Sequence, residues 1–356
     1  MDENHPLVLV RAETRRSETS IDSNQIFFLA VLSSSQVLFL SSALLRLGHV
    51  HLISTLVLSS VPYVFTYKAV TSTSSVITMK NHQQEMKRYP YDHVLYQPGN
   101  LCHTCLFLKP ARSKHCGICN VCVAKHDHHC IWVMNCLGKG NYVYFVGLMA
   151  SLGTLLSYGA YLAYALQTET LQADTIRRSD GFRGRAHWTT GKTWSQVGNS
   201  WAWAFANDVR IGGVGMLAFL TAPLAWGLFC YHVYLIWAGM TTNEISKWAD
   251  WRDDITDCLV FRSERATARN DAGQRDQILE PPVDWPISST QQLVSSDNGQ
   301  APQDPVTSTS AHAGPLSKDQ TTEKPRWRQV QSLDEIDNLY DLGFWDNLMD
   351  VLPTQS

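Results

Sequence analysis

The chain contains 356 residues, 44% of them hydrophobic, and carries a formal net charge of −3. A charge balance this close to neutral offers no excess of basic residues for nucleic acid, and we predict no nucleic-acid partner. The mean hydropathy of −0.16 is typical of one or two soluble domains, but this average conceals several long uncharged runs.

The first predicted elements are a polar leader over residues 1–25 and two transmembrane helices within residues 26–70. The uncharged run over 26–45 is as long as the roughly 20 apolar residues that cross a bilayer. The weaker run over 50–66 contains Pro62, which membrane helices tolerate. A cleaved signal peptide is the alternative for the first run, but the leader is rich in acidic residues and the run exceeds a signal-peptide core. We therefore predict an uncleaved anchor.

Two further transmembrane helices are predicted over residues 142–166 and 211–240. A buried soluble helix is the alternative, but such a helix seldom stays apolar on all sides for this length. The intervening loop over 167–210 is rich in Trp, at positions 188, 194, 201 and 203, and is predicted to anchor at the lumenal membrane surface. The fold class is therefore an α-helical integral membrane protein with four transmembrane helices.

An even number of spans places both termini on the same side as residues 71–141. Basic residues in this segment favour the cytosol, but the 167–210 loop is also basic, so charge alone does not decide the orientation. Free, metal-binding thiols persist in a reducing compartment. We therefore predict that both termini and the cysteine-rich segment are cytosolic.

Seven of the nine cysteines lie between residues 102 and 136. Their two-residue spacings and the interposed histidines are typical of tetrahedral sites with three thiolates and one imidazole, which structural Zn²⁺ favours. Spacing alone leaves open which ligand binds which ion, and we favour an interleaved arrangement of two closed sites. The first set is Cys102, Cys105, His115 and Cys122, and the second is Cys116, Cys119, His129 and Cys136.

Two such sites leave Cys130 without a metal, beside His128 and Asp127. A thiol with an imidazole and a carboxylate has the composition of an activated nucleophile. In an extended chain His128 and Cys130 share one face and His129 points to the other, so we assign His129 to metal and His128 to the thiol. Asp127 can hold the imidazole only if the backbone bends, and a redundant metal ligand is the alternative role for Cys130.

The cysteine cluster comes directly before the third predicted span. Burial of a fatty chain is favourable by about 0.8 kcal/mol per CH₂, so a long acyl tail favours the bilayer while a charged carrier stays in water. We therefore predict acyl-CoA as the co-substrate, with its thioester at Cys130. Lys109, Arg112 and Lys114 are candidates for the coenzyme A phosphates, with ordinary solvated charge as the alternative.

The chain after the last span divides into three predicted parts. Residues 241–265 form a polar cytosolic segment, and residues 266–332 are predicted to be a disordered linker rich in Ser, Thr, Gln, Asp and Pro. Residues 333–352 regain aromatic and aliphatic side chains, and we predict a small amphipathic element that packs back onto the protein.

The sequence around the unassigned thiol resembles that of the DHHC protein S-acyltransferases. The resemblance is carried by Asp127-His128-His129-Cys130 within the cysteine framework and by residues 131–142 after it. Thr241-Thr242-Asn243-Glu244 looks like the TTxE motif of the family, and residues 340–352, with Asn347, look like its C-terminal palmitoyltransferase motif. The block over 109–116 and the polar tail look most like the fungal endoplasmic-reticulum spore-wall-formation type. Ile131 stands where the family most often has proline.

This resemblance implies a two-step transfer of a fatty acyl group, usually palmitoyl. Cys130 attacks the acyl-CoA with His128 as base and Asp127 orienting it, and the chain then passes to a cysteine of a membrane protein. The resemblance also implies interleaved zinc ligation, an acyl cavity lined by the spans, an endoplasmic-reticulum membrane location and substrates that include SNAREs.

Two other functions are compatible with parts of the sequence. A membrane-anchored zinc-binding interaction module, such as a RING-like scaffold, needs a closing Cys-x2-Cys pair, but within the cysteine-rich segment only Cys136 follows Cys130. A metal transporter needs charged or histidine residues inside its spans, and His232 in the last span is the residue of this kind that we consider. Cys230 and Cys258 receive no role.

Overall fold

The computed structural model describes residues 23–178, 192–264, 279–302 and 327–352. Most of the predicted leader, residues 179–191 with Trp188, residue 265, and the linker residues 266–278 and 303–326 lie outside the described residues.

Four helices of the described chain are long and apolar enough to cross a membrane, as predicted. The first two are α1 (Ser23–Ala43) and α2 (His49–Thr71), and Pro62 lies inside α2. The polar side chains of these helices bond to one another, since Ser33 Oγ lies 2.8 Å from the Tyr63 hydroxyl. Such pairs satisfy polar groups that lipid cannot solvate.

The cysteine-rich segment between α2 and the third span is built from short strands with one helical turn. Along the chain these are β1 (Val76–Ile77), α3 (His82–Met86), β2 (Leu101–Cys102), β3 (Phe107–Leu108), β4 (Lys114–Cys116), β5 (Val121–Val123), β6 (His129–Cys130) and β7 (Asn135–Cys136). They form a sheet of order β1-β5-β4 and two hairpins, β2-β3 and β6-β7, all antiparallel. Strands of two or three residues have little core of their own, which makes metal sites the natural source of rigidity.

The third and fourth spans are joined by helical structure. They are α4 (Tyr142–Arg178) and α6 (Val209–Trp237), with α5 (Trp194–Asn207) between them. The interpretation of residues 167–210 as a loop is therefore wrong for the described part, because α4 continues to Arg178 and α5 follows. Thr193 caps α5 in a reciprocal pair with Gln196. Both α4 and α6 exceed the length needed to span a bilayer.

The tail after the last span folds against the cysteine-rich segment. Its elements are α7 (Thr242–Thr256), β8 (Val260–Glu264), β9 (Gln291–Ser295), β10 (Arg328–Gln329), a 3₁₀ turn (Leu333–Glu335) and α8 (Phe344–Val351). The three strands form an antiparallel sheet of order β10-β8-β9.

The prediction of a disordered linker over 266–332 is wrong for β9 and β10. Leu293 in β9 is 3% exposed and packs with Val260 and Tyr340 in a core that also contains Tyr89. A few buried apolar residues thus anchor a polar stretch to a neighbouring strand. The predicted C-terminal element over 333–352 contains the 3₁₀ turn and α8.

Candidate active site

The first predicted metal set comes together at the β2-β3 and β4-β5 hairpins. Sulfurs of Cys102, Cys105 and Cys122 lie 3.5, 3.4 and 3.8 Å from Nδ1 of His115. Tetrahedral zinc with bonds of about 2.3 Å to sulfur and about 2.0 Å to nitrogen requires S···N separations of about 3.5 Å. The four donors therefore fit one tetrahedral Zn²⁺.

The second predicted set has the same geometry. Sulfurs of Cys116, Cys119 and Cys136 lie 3.7, 3.3 and 3.6 Å from Nδ1 of His129. In both sets all donor atoms lie within 4.8 Å of one another, and all nine cysteines of the chain are free thiols. The interleaved grouping places β4 and β5 between the two sites, because His115 and Cys122 belong to one site and Cys116 to the other.

Cys130 belongs to neither set. In the β6-β7 hairpin His129 pairs with Cys136, both ligands of the second site, while Cys130 pairs with Asn135. Side chains alternate along a strand, so Cys130 points away from the metal donors. Its side chain is 3% exposed and packs in a cluster with Phe145 of α4 and Ile236 of α6. The thiol therefore lies where the cysteine-rich segment meets the membrane helices.

His128 and Asp127 adjoin this thiol. His128 Nδ1 lies 2.6 Å from Asp127 Oδ2, so the backbone bend that the sequence left open is present. Burial disfavours the charged imidazole, but hydrogen bonds to Asp127 and Cys130 outweigh it and raise the pKa of His128 to about 9. An imidazole that is cationic at neutral pH stabilises a neighbouring thiolate.

Asp127 is held from the far side by the start of α7. The Thr242 backbone N–H donates to Oδ1 at 2.7 Å and the Thr242 hydroxyl donates to Oδ2 at 3.0 Å. Burial raises the pKa of Asp127, but the bonds from His128 and Thr242 bring it below its usual value. The carboxylate is therefore charged and fixed when it orients His128.

Thr241 and Glu244 build the end of the helix that presents Thr242. The Thr241 hydroxyl accepts from the Glu244 N–H at 3.2 Å, and the Glu244 carboxylate accepts from the Thr241 N–H at 2.9 Å, which is a capping box. The same carboxylate forms a two-point ion pair with Arg112, at 2.7 and 2.6 Å. Both side chains of that pair are 1% exposed.

The interpretation of Arg112 as a coenzyme A phosphate ligand is wrong. Its guanidinium is buried between the rings of Tyr89 and Tyr340, with Cζ 5.2 and 4.4 Å from the two ring centres. The guanidinium also donates to the Gly239 carbonyl. An arginine enclosed in this way fixes α7 and the tail to the cysteine-rich segment. Lys114 is exposed and donates to Asn243 at 2.8 Å, while Lys109 is half-buried. Contact of Lys109 and Lys114 with the coenzyme A phosphates stays a prediction.

Asn347 lies on α8 and bonds to the end of the last span. Its amide donates to the Trp237 carbonyl at 3.1 Å and accepts from the Leu342 N–H at 3.0 Å. The amide therefore covers an otherwise unpaired carbonyl at the end of α6.

Asp350, one turn further along α8, was not among the predicted site residues. Its carboxylate accepts from Lys125 at 2.6 Å, from Lys139 at 3.0 Å and from the Tyr89 hydroxyl at 2.8 Å. Those partners lie far from residue 350 in the sequence, so no local pattern indicates this cluster.

Comparison with known proteins agrees with this geometry. Residues 96–249 match the family model of the DHHC palmitoyltransferase. The chain is 47% identical to "Palmitoyltransferase swf1" of Aspergillus fumigatus over 336 residues, which cover 94% of this chain and 86% of that protein. It is 44% identical to the Emericella nidulans protein of the same name, over 98% of this chain and 79% of that protein. It is also 33% identical to mouse "Palmitoyltransferase ZDHHC4" over 55% of each chain.

Proposed function

This chain belongs to the DHHC palmitoyltransferase family and is a protein S-palmitoyltransferase, and from that premise we propose that Cys130 carries the acyl group as a covalent intermediate. The observation that supports this role is the series of contacts from Thr242 through Asp127 and His128 to Cys130. It ends in a thiol that no metal set uses, packed against the membrane helices.

The first half-reaction forms the acyl-enzyme. The Cys130 thiolate attacks the thioester carbonyl of acyl-CoA, and the carbon–sulfur bond to coenzyme A breaks. The leaving coenzyme A thiolate takes the proton held on His128. Asp127 keeps the imidazole in the orientation that this proton transfer needs.

The second half-reaction passes the chain to the acceptor. The acceptor cysteine gives its proton to neutral His128 and attacks the acyl carbonyl at Cys130. The bond to Cys130 breaks, and the thiolate is restored beside a protonated imidazole. Atoms and charges balance across the two steps without a further reactant.

Two Zn²⁺ ions fit the two Cys3His sets and would stabilise the short strands that position this site. Four protein donors per ion close the coordination sphere, so such ions are structural. The chemistry at the thioester is then performed by Cys130, His128 and Asp127 alone.

Acyl-CoA as the co-substrate is supported by the position of Cys130. The thiol packs with Phe145 and Ile236 at the end of the spans, so a fatty chain on its sulfur would extend along apolar helix surfaces. Lys114, exposed beside Asn243, and Lys109 are the candidates for the coenzyme A phosphates.

The substrates are membrane proteins, and we assign as their reactive groups juxtamembrane cysteines, with SNAREs as one class that the family resemblance suggests. The location we propose is the endoplasmic-reticulum membrane, with the zinc sites and both termini in the cytosol. The free thiols of the metal sets support a reducing compartment.

Purified protein incubated with labelled palmitoyl-CoA tests the role of Cys130. Wild type is expected to take up hydroxylamine-labile label, and Cys130→Ala is expected to take up none. Cys258→Ala is the matched control, because Cys258 is exposed on the tail after the last span and should label like wild type. Equal labelling of wild type and Cys130→Ala would refute the proposal.

A further inference from the structure

A buried polar pair lies beside the proposed site and has no part in the chemistry described so far. The Tyr142 hydroxyl, at the start of α4, lies 2.9 Å from Nδ1 of His232 on α6. The two side chains are 8% and 2% exposed. Apolar residues would fill this place without the cost of burying polar atoms, and ionisable residues within membrane helices are commonly functional.

The pair reaches the site through one aromatic ring. Phe145, one turn after Tyr142 on α4, packs edge-to-face on His232 with ring centres 5.0 Å apart. The same Phe145 ring packs edge-to-face on His128 at 5.5 Å. The His232 ring is itself 6.1 Å from the His128 ring. The His128 ring therefore packs against Phe145 and His232, and the hydrogen bond from Tyr142 holds His232 in place.

These packed rings can restrict the orientation of the His128 imidazole. The bond from Asp127 fixes Nδ1 of His128, but a ring held at one atom can still pivot about that bond. The opposite nitrogen must face the thioester at Cys130, where it stabilises the thiolate and exchanges its proton with the coenzyme A and acceptor sulfurs, and small misplacement of catalytic groups lowers rates strongly. A second contact surface on the ring removes the remaining freedom.

We propose that Tyr142 and His232 are positioning residues, whose hydrogen bond holds Phe145 against His128 so that the imidazole faces Cys130. This inference rests on the proposed roles of His128 and Cys130. It assigns to His232, a histidine of the last membrane helix, a part in acyl transfer that acts through another side chain.

The test measures acyl-enzyme formation by rapid quench over a range of palmitoyl-CoA concentrations. Tyr142→Phe and His232→Leu are expected to lower the maximal rate by about tenfold while the KM for palmitoyl-CoA changes by less than about twofold. His232→Asn is expected to restore the rate to within about threefold of wild type, because the Asn oxygen can accept from the Tyr142 hydroxyl near the place of Nδ1.

Tyr231→Phe is the matched control. Its ring contacts His232 at 5.3 Å, but it is the Tyr142 hydroxyl that bonds to Nδ1, so this variant should keep the wild-type rate. Zinc content and thermal unfolding of every variant are measured in parallel, and both should match wild type for Tyr142→Phe.

A background without the imidazole separates positioning from a general packing defect. Combined with His128→Ala, Tyr142→Phe should leave the residual rate unchanged, because no imidazole remains to be placed. An equal loss in both backgrounds, or a wild-type rate in Tyr142→Phe alone, overturns the inference. A wild-type rate in His128→Ala would instead refute the proposed function, so the two failures are distinguishable.

Discussion

Arg112 and Glu244 form a two-point ion pair in which each side chain is 1% exposed. The pair joins the cysteine-rich segment to the first turn of α7, which presents Thr242 to Asp127. Because both charges are removed from water, each depends on the other for compensation. The contact between Arg112 and Glu244, which are 132 residues apart, therefore helps to determine the position of the Asp127 carboxylate.

Glu244→Gln is expected to destabilise the folded protein by about 3–5 kcal/mol, because it leaves Arg112 buried without its anion. Thermal unfolding in detergent micelles measures the loss. Glu264→Gln, at an exposed position of β8, is the control and should unfold like wild type. Equal stability of the two variants would show that the pair contributes nothing.

Thr242→Val is expected to slow acyl-enzyme formation by about tenfold, because the charged Asp127 loses one of its two bonds from Thr242 while the backbone bond remains. Rapid-quench labelling with palmitoyl-CoA measures the rate. Thr256→Val removes a hydroxyl on the same helix that donates to the Arg252 carbonyl, and should not change the rate. A slower Thr256→Val would point to a defect of α7 as a whole.

Asp350→Asn is expected to destabilise the protein by about 3 kcal/mol, since Lys125 and Lys139 then lose their common anion. Burial raises the pKa of Asp350, but Lys125, Lys139 and Arg112 outweigh it and hold the pKa well below the usual range. A carboxyl pKa depressed by folding contributes stability above the unfolded value of about 3.9, and the contribution is lost as pH falls through the folded value.

The stability difference between wild type and Asp350→Asn should therefore be constant from about pH 5 to about pH 7. Asp346→Asn, at an exposed position of α8, is the control. A difference that grows as the pH falls across this range would contradict the assigned direction of the pKa.

Loss of a zinc ligand should remove metal, whereas loss of a catalytic group should not. Cys102→Ser and Cys119→Ser are expected to lose zinc and to unfold at lower temperature, because structural zinc sites contribute directly to folding. Asp127→Ala, His128→Ala and Cys130→Ala should keep two zinc ions per chain, as measured by atomic emission. A missing zinc in His128→Ala would show that His128 binds metal, contrary to the roles assigned to His128 and His129.

Local patterns in the sequence predicted two metal sets and one unassigned thiol, although spacing alone left open which ligand binds which ion. Cysteine pairs two residues apart have only a few ways to share an ion, and the alternation of a strand separates His129 from Cys130. The four spans follow in the same way from uninterrupted apolar runs.

Long-range contacts could not be predicted in this way. Arg112 lies in a basic block that looks solvent-exposed, and its burial depends on Glu244, which is 132 residues away. Leu293 orders β9 within a polar stretch only because β8 and Tyr340 offer a core. The Thr242 bond to Asp127 likewise spans 115 residues, and no local composition indicates it.

Mass spectrometry after a single turnover locates the palmitoyl group on the protein and so tests whether Cys130 carries it. Wild type is mixed with one equivalent of palmitoyl-CoA, digested under acidic conditions and mapped peptide by peptide, before and after a chase with an acceptor peptide that contains cysteine. If Cys130 is the acyl carrier, palmitate is found on Cys130 alone and disappears from it as the acceptor gains the chain. Palmitate on a metal-set cysteine, or an acceptor that is acylated while Cys130 remains unmodified throughout, would contradict this role.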